Sequence, residues 1–99
     1  MPIQIVDLTA TKAPSGVYAA GTTADVTLKN PHKFPWHFNL LVSFIAGQKI
    51  VDSESITGFM KGGDELPIHS ETTWSAEKVQ AKVGTTRLFL LAETKEVDP

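Results

Sequence analysis

The stretch that decides the fold reads Phe38-Asn39-Leu40-Leu41-Val42-Ser43-Phe44-Ile45. Side chains of a β-strand point alternately to its two faces, and every second residue here, from Phe38 to Phe44, is large and apolar. The other face carries Leu41 and Ile45 among polar residues, whereas a face in contact with water would be polar throughout. A strand that is apolar on both sides has to be covered on both sides. The stretch therefore predicts a buried strand whose second face meets another surface.

Turn-forming residues recur at short intervals on both sides of this strand, and the clearest are Pro14-Ser15-Gly16, Gly21, Asn30-Pro31, Gly47-Gln48, Gly62-Gly63-Asp64 and Gly84. Between them the sequence predicts strands over about residues 3–9, 23–29, 38–45, 49–57, 66–74 and 85–94. The polar strand 49–57 and the strand that begins near Pro67 are expected at sheet edges. We predict an all-β, immunoglobulin-like antiparallel β-sandwich of about seven strands, forming one domain over residues 1–99.

One segment departs from the strand pattern. Ser75 suits a helix N-cap, Val79 and Val83 are four residues apart, and Gly84 suits a helix end. These features predict a short helical turn near 76–83 that crosses from one sheet to the other. In that topology the strands 38–45 and 86–93 are expected to be neighbours in one sheet.

That neighbour relation predicts a partner-binding surface on the outside of the sheet, formed by Leu41, Ile45, Phe89 and Leu91, with Arg87 and Glu93 at its margins. Each such side chain contributes roughly 1.5–3 kcal/mol when it is buried, so four exposed together favour a contact site. The alternatives are that the loop 61–66 or the N-terminal segment covers this face, or that both faces are core.

Two tryptophans have different expected roles. Trp74 alternates in phase with Leu66 and Ile68 and is expected in the core. Phe34 and Trp36 lie in a loop that Pro31 and Pro35 stiffen, and stiff aromatic residues lose little entropy when they bind a partner. They are therefore candidate partner contacts, and the alternative for Trp36 is that it closes one end of the sandwich.

Candidate sites for chemistry are weak. His32, His37 and His69 are the candidate metal ligands, but no two of them have a metal-motif spacing, so surface or loop histidines are favoured. Asp52 and Glu54 share one face of the expected edge strand, where a solvated edge is favoured over calcium binding or acid–base chemistry. The sequence has no nucleophile elbow and no phosphate-binding glycine loop. We predict no metal, no cofactor, no small-molecule substrate and no enzymatic activity.

Composition excludes further classes. Nine basic against eleven acidic residues, with Arg87 the single arginine, leave no basic stripe for nucleic acid. The absence of cysteine excludes disulfides, thiolate metal sites and a cysteine nucleophile. No apolar run reaches the length of a membrane span, and no signal peptide is evident. These features predict synthesis in the cytoplasm, followed by incorporation into a virion or another assembly; an excised domain of a secreted parent would instead be extracellular.

The segments 5–9 and 21–30, followed by an apolar strand that ends near Ala46-Gly47-Gln48-Lys49-Ile50, resemble bacterial immunoglobulin-like modules of the cell-adhesion-related domain family. The segment 26–31 also resembles the water-stress/late-embryogenesis β-sandwich domain. Both resemblances imply a sandwich and cover about half the chain. We expect a non-enzymatic interaction module that docks on a protein partner or on itself, such as a virion decoration protein or a filament subunit. The alternatives are a metal- or ligand-binding sandwich that uses the loop histidines, and a stress-protective sandwich.

Overall fold

The computed structural model describes residues 3–13, 21–84 and 88–97, which contain eight strands and no helix. The strands are β1 (Gln4–Lys12), β2 (Thr22–Lys29), β3 (Trp36–Ala46), β4 (Lys49–Met60), β5 (Glu65–Thr72), β6 (Lys78–Val83), β7 (Leu90–Glu93) and β8 (Lys95–Glu96). They form two sheets, the first in the order β5-β2-β1-β8 and the second in the order β4-β3-β6-β7. The predicted all-β sandwich is therefore confirmed, with eight strands in these ranges where about seven were expected.

The core lies between the inner faces of the two sheets, and the central strands supply most of it. In β3 the predicted inner face is buried, and in β2 every second residue from Ala24 to Leu28 faces it from the other sheet. Fully buried side chains include Val26, Leu28, Leu40, Val42, Phe44 and Val79. Period-two alternation of apolar residues thus places both central strands, because each buries one face against the other sheet.

The predicted helical turn near 76–83 was wrong, because Lys78–Val83 is the strand β6. It pairs antiparallel with β3 on one side and with β7 on the other. Val79 and Val83 are four residues apart, a spacing that puts two side chains on one face of a helix and equally on one face of a strand. Ala81 lies between them and is fully buried with them, which is the period of a strand.

This strand also corrects the predicted sheet order. Since β6 lies between β3 and β7, the strand over 38–45 and the described strand of the segment 86–93, which is β7, are not neighbours. Of the predicted final strand 85–94, the structure describes residues 88–94, and Leu90–Glu93 form β7, which pairs with β6 in the second sheet. After Thr94 the chain crosses to the first sheet, where β8 pairs parallel with β1. The margin residue Arg87 lies outside the described residues.

The sandwich is closed along one side by hydrogen bonds between its two edge strands. The Ser70 hydroxyl of β5 donates to Glu54 Oε1 of β4 at 2.6 Å, and the Thr72 hydroxyl donates to Asp52 Oδ2 at 2.7 Å. The expected edge positions of β4 and of the strand containing Pro67 are confirmed. The two carboxylates thus join the sheets, which accounts for their shared face without acid–base chemistry.

Trp74 was expected in the core, and that prediction was wrong, because its side chain is 58% exposed. The ladder between β2 and β5 ends at Thr72, so the alternation that predicted Trp74 inward no longer applies two residues later. The buried hydroxyl of Thr22 donates to the Trp74 carbonyl at 2.8 Å and accepts from the Ala76 N–H at 2.9 Å. Ala76, which is fully buried, takes the core position instead.

Candidate interaction surface

The predicted apolar surface on the outside of the second sheet is divided by β6. Leu41 of β3 lies opposite Lys82 of β6, and Leu91 of β7 lies opposite Gln80. Strands in a sheet are about 4.8 Å apart, so roughly 9.6 Å separates the backbones of β3 and β7. The structure therefore does not bring Leu41 and Ile45 together with Phe89 and Leu91 as one cluster, and Ile45 is itself half-buried.

A different apolar surface lies on β7 and the two residues before it. The consecutive side chains of Leu88, Phe89, Leu90 and Leu91 are 80%, 51%, 39% and 50% exposed. We call these four residues the edge run, because β7 is the last strand of the second sheet. Within β7, Leu90 lies opposite the buried Ala81 and Leu91 opposite Gln80, so the strand is apolar on both faces. Period-two alternation in the sequence predicted an apolar outer face for this segment. The structure shows in addition that Leu90, on the inner face, is exposed.

The other edges of the two sheets carry features that oppose pairing with a further strand. The edge strand β5 contains Pro67, which has no N–H to donate, and β4 turns the carboxylates of Asp52 and Glu54 toward the opposite sheet. The strand β1 has a bulge at Val6, and the short β8 covers its other end. In contrast, β7 has no proline, no bulge and no basic residue, and Glu93 is its single charge.

The loop between β2 and β3 carries a cluster of stacked rings. The His32 ring lies 4.2 Å from the Trp36 ring and 5.4 Å from the Phe34 ring, with interplanar angles of 22° in both pairs. Phe34 and Trp36 are both exposed. His32 Nε2 is buried and, within the described ranges, has no hydrogen-bond partner, so this ring contributes by stacking. We call residues 30–36 the aromatic loop.

Asn30, at the start of the aromatic loop, is fully buried and holds it in place. Its side-chain Nδ2 donates to the carbonyls of Phe34, Met60 and Lys61 at 3.0–3.1 Å, and its Oδ1 accepts from the His32 N–H at 2.9 Å. The sequence marked Asn30-Pro31 only as a turn. The Asx turn onto His32 could be foreseen from the residue type, but the contacts with the end of β4 are thirty residues away along the chain.

Gly62 makes the contact between the aromatic loop and the β4–β5 turn possible. A Cβ at this position would lie 2.4 Å from the backbone carbon of Lys33 and 2.7 Å from the backbone nitrogen of Phe34. Only glycine permits so close an approach. The loop is therefore held by backbone proximity as well as by Asn30.

The three histidines lie on different elements and do not converge. His32 belongs to the aromatic loop, His37 contacts the ring of Phe59 on the outer face of the second sheet, and His69 lies on the outer face of the first. Over residues 3–13, 21–84 and 88–97 no three His, Cys, Asp or Glu side chains are arranged to hold a metal ion.

His69 instead belongs to a surface hydrogen-bond pair. Its Nδ1 lies 2.9 Å from Asp25 Oδ1, and its Nε2 lies 3.4 Å from Glu71 Oε2. The hydrogen bond with Asp25, and secondly that with Glu71, raises the pKa of His69 above its usual value of 6.5, against a small opposing effect of desolvation. Because the side chains of His69, Asp25 and Glu71 are all more than half exposed, these interactions are solvated and do not form an enclosed site.

Comparison with known proteins gives no match, whether among protein-family models, curated proteins or solved structures. The resemblance to the cell-adhesion-related and water-stress domains therefore stays a prediction. Within the described ranges, no helix has the length and apolar character needed to cross a membrane. The two surfaces that bear on function are the edge run and the aromatic loop.

Proposed function

We propose that this chain is a non-enzymatic interaction module that docks on a protein partner, or on a second copy of itself, through the edge run. The observation that carries the proposal is the presence of four consecutive large apolar side chains, all exposed, on the least protected sheet edge. Natural sheets blunt their edges because a bare, apolar edge pairs with other chains. β7 is short, but it carries no proline, bulge or basic residue, and this supports its pairing with another chain.

The size of the edge run supports the same reading. Its four side chains leave on the order of 400 Å² in contact with water, if a whole large apolar side chain exposes roughly 200 Å². This lies within the range of the largest apolar patches on soluble monomers, which are often functional. A partner strand added to β7 would gain main-chain hydrogen bonds as well as these apolar contacts, which is the usual basis of β-strand addition.

The aromatic loop supports a second point of contact. Its rings are exposed while its backbone is held by Asn30 and by the close approach of Gly62, so little conformational entropy is lost on binding. Tryptophan, the residue at position 36, is among the residue types enriched at binding hot spots. An accessory subunit of a larger assembly, of which a virion decoration protein or a filament subunit is an example, would use surfaces of this kind.

A ligand-binding sandwich is the second candidate function, and the stacked His32, Phe34 and Trp36 rings favour it. Exposed rings on a rigid loop suit a ligand with a flat face. The described loop carries no three groups that would hold a metal, so such a ligand would be organic. Such a ligand should quench the tryptophan fluorescence of the unmodified chain and of Trp74→Ala, and this quenching should be absent in Trp36→Ala.

The proposed function is tested by photo-crosslinking in the cells that make the protein. Benzoylphenylalanine replaces Phe89 in the edge run or, as the control, Phe59, which is 75% exposed on β4. We expect the position 89 probe to give one discrete crosslinked product, either a dimer of this chain or an adduct with another protein, and the position 59 probe to give none. Equal yields at the two positions, or no product at position 89, would refute the proposal.

A further inference from the structure

We infer that the edge run docks on the edge run of a second copy of this chain, by antiparallel pairing of the two segments 88–92 about a two-fold axis at Leu90. The inference rests on the proposed function and names the partner. Its result is a single sheet that continues from one copy into the other, in the order β4-β3-β6-β7 and then the same strands in reverse.

The free side of β7 provides the backbone groups for this pairing. Within the part of the chain that the structure describes, β7 has β6 as its one neighbour in the second sheet. An edge strand presents a row of N–H and C=O groups to its open side, and these need partners when the surrounding side chains exclude water. Glu93 is the one charged residue that the strand itself would bring to the pairing.

The register follows from the alternation of side chains. The two-fold axis is perpendicular to the sheet, so the outer face of one copy continues as the outer face of the other. This requires the axis to pass between the two copies of one residue, because shifting the register by one residue would set outer side chains opposite inner ones. In the dimer Leu88 and Phe89 extend in line with β7, and an axis at Leu90 then places Phe89 opposite Leu91 of the other copy on the outer face, and Leu88 opposite Ala92 on the inner face. An axis at Leu91 would instead place Phe89 opposite the carboxylate of Glu93. Pairing at Leu90 therefore opposes apolar side chains throughout the edge run.

The buried area fits a dimer. Two edge runs expose roughly 800 Å² of side chain between them, and the backbones of the paired strands add to this. Because side chains on the two faces keep part of their surface in water, this sum is an upper limit, and the interface lies at the weak, transient end of the size range. We therefore expect a reversible dimer whose population rises with protein concentration. A C2 dimer with a self-complementary patch is also the commonest symmetric assembly.

The absence of cysteine from the chain permits a test of the register itself. With the axis at Leu90, the two Leu90 Cα atoms lie about 4.5–5.5 Å apart, which is within disulfide range. The two Glu93 Cα atoms lie roughly 20 Å apart, at about 3.3 Å per residue. We expect Leu90→Cys to form a covalent dimer on mild oxidation and Glu93→Cys, on the same strand, to stay monomeric. Equal crosslinking of the two variants, or none by Leu90→Cys, would overturn the inference.

Sedimentation velocity over a range of concentrations measures the dimer without any crosslink. We expect the unmodified chain and Phe59→Lys to reach the dimer mass, and Phe89→Lys combined with Leu91→Lys to stay at the monomer mass. Since both replaced side chains are about half exposed, the double variant should keep the thermal unfolding transition of the unmodified chain. A monomeric unmodified chain at every concentration would overturn the inference.

The outcomes separate this inference from the proposed function. If the chain is monomeric and the photo-probe at position 89 captures one other protein, the edge run still docks and only the identity of the partner is wrong. If the chain is monomeric and the probe captures nothing, both proposals fail.

Discussion

The side chain of Asn30 joins three parts of the chain, namely its own loop, the end of β4 and the turn after it. The prolines of the sequence predicted a loop at 30–36, because two prolines four residues apart cannot both lie in a ladder. They did not predict that Asn30 is buried, since its partners Met60 and Lys61 are distant in sequence. Local spacing identifies turns, whereas a buried polar residue is defined by partners that only the fold brings near.

Asn30→Ala should lower the free energy of unfolding by about 2–4 kcal/mol, because it removes a fully buried amide that donates to the carbonyls of Phe34, Met60 and Lys61. Urea titration followed by tryptophan fluorescence measures this change. The control is Asn39→Ala on β3, where the side chain is exposed and the expected change is within about 0.5 kcal/mol. Equal effects of the two substitutions would contradict the structural role of Asn30.

His69 should make stability depend on pH, because its pKa is raised in the folded chain by Asp25 and Glu71. The stabilisation is fully present below the unfolded-state pKa of about 6.5 and is lost as pH rises through the higher folded-state pKa. For exposed pairs the effect is small, about 0.2–1 kcal/mol. The unmodified chain should therefore exceed His69→Gln in stability by more at pH 5 than at pH 8.

The control for the pH effect is Asp25→Asn, which removes the larger cause of the pKa shift. The difference between pH 5 and pH 8 should shrink in this variant, as measured by urea unfolding at the two values. An unchanged difference would assign the pH effect to other groups.

At the scale of elements, the central strands could be read from the sequence and the peripheral ones could not. The strand β2 alternates throughout, and β3 alternates except at the buried Ser43, because each strand packs one face against the opposite sheet. In β6 the spacing of Val79 and Val83 satisfies the helical and the extended period alike, so pairing with β3 and β7 decides between them. One strand misread as a helix then misplaced the apolar surface by one position in the sheet.

The β4–β5 contact provides a test at this scale. Thr72→Val should lower the free energy of unfolding by about 1–3 kcal/mol, because the buried hydroxyl donates to Asp52 and accepts from the Trp74 N–H at 3.2 Å. Urea unfolding measures the change. Thr57→Val, on the exposed face of β4, is the matched control and should alter stability by less than about 0.5 kcal/mol. A loss at Thr57 as large as at Thr72 would contradict the contact.

At the scale of the whole molecule, the short alternating strands and regularly spaced turns of the sequence predicted a sandwich. They did not predict how the two sides of the sandwich are closed. One side is closed by side-chain hydrogen bonds from β5 to β4, and the other by the crossing of the chain from β7 to β8. Charged residues such as Lys95 and Glu96 carry no strand signal. The short β8 forms because the β1 edge offers it backbone partners, including the Lys12 carbonyl that accepts from the Val97 N–H at 3.0 Å.

Truncation after Thr94 should lower stability by about 1–3 kcal/mol, because it removes the backbone hydrogen bonds of β8 to β1. The control replaces Lys95 and Glu96 by alanine, which keeps the backbone bonds and should leave the urea midpoint nearly unchanged. If the alanine variant loses as much stability as the truncated chain, the side chains and not the β8 backbone close this side.

The parallel pairing of β1 with β8 has a mechanical consequence. Both strands run in the same direction, so a force that pulls Ile3 and Val97 apart slides one strand lengthwise along the other. Their hydrogen bonds are then loaded in shear and break together, whereas an antiparallel hairpin pulled from its open end unzips one bond at a time. The resistance of this fold to tension between these two residues therefore depends on its shortest strand.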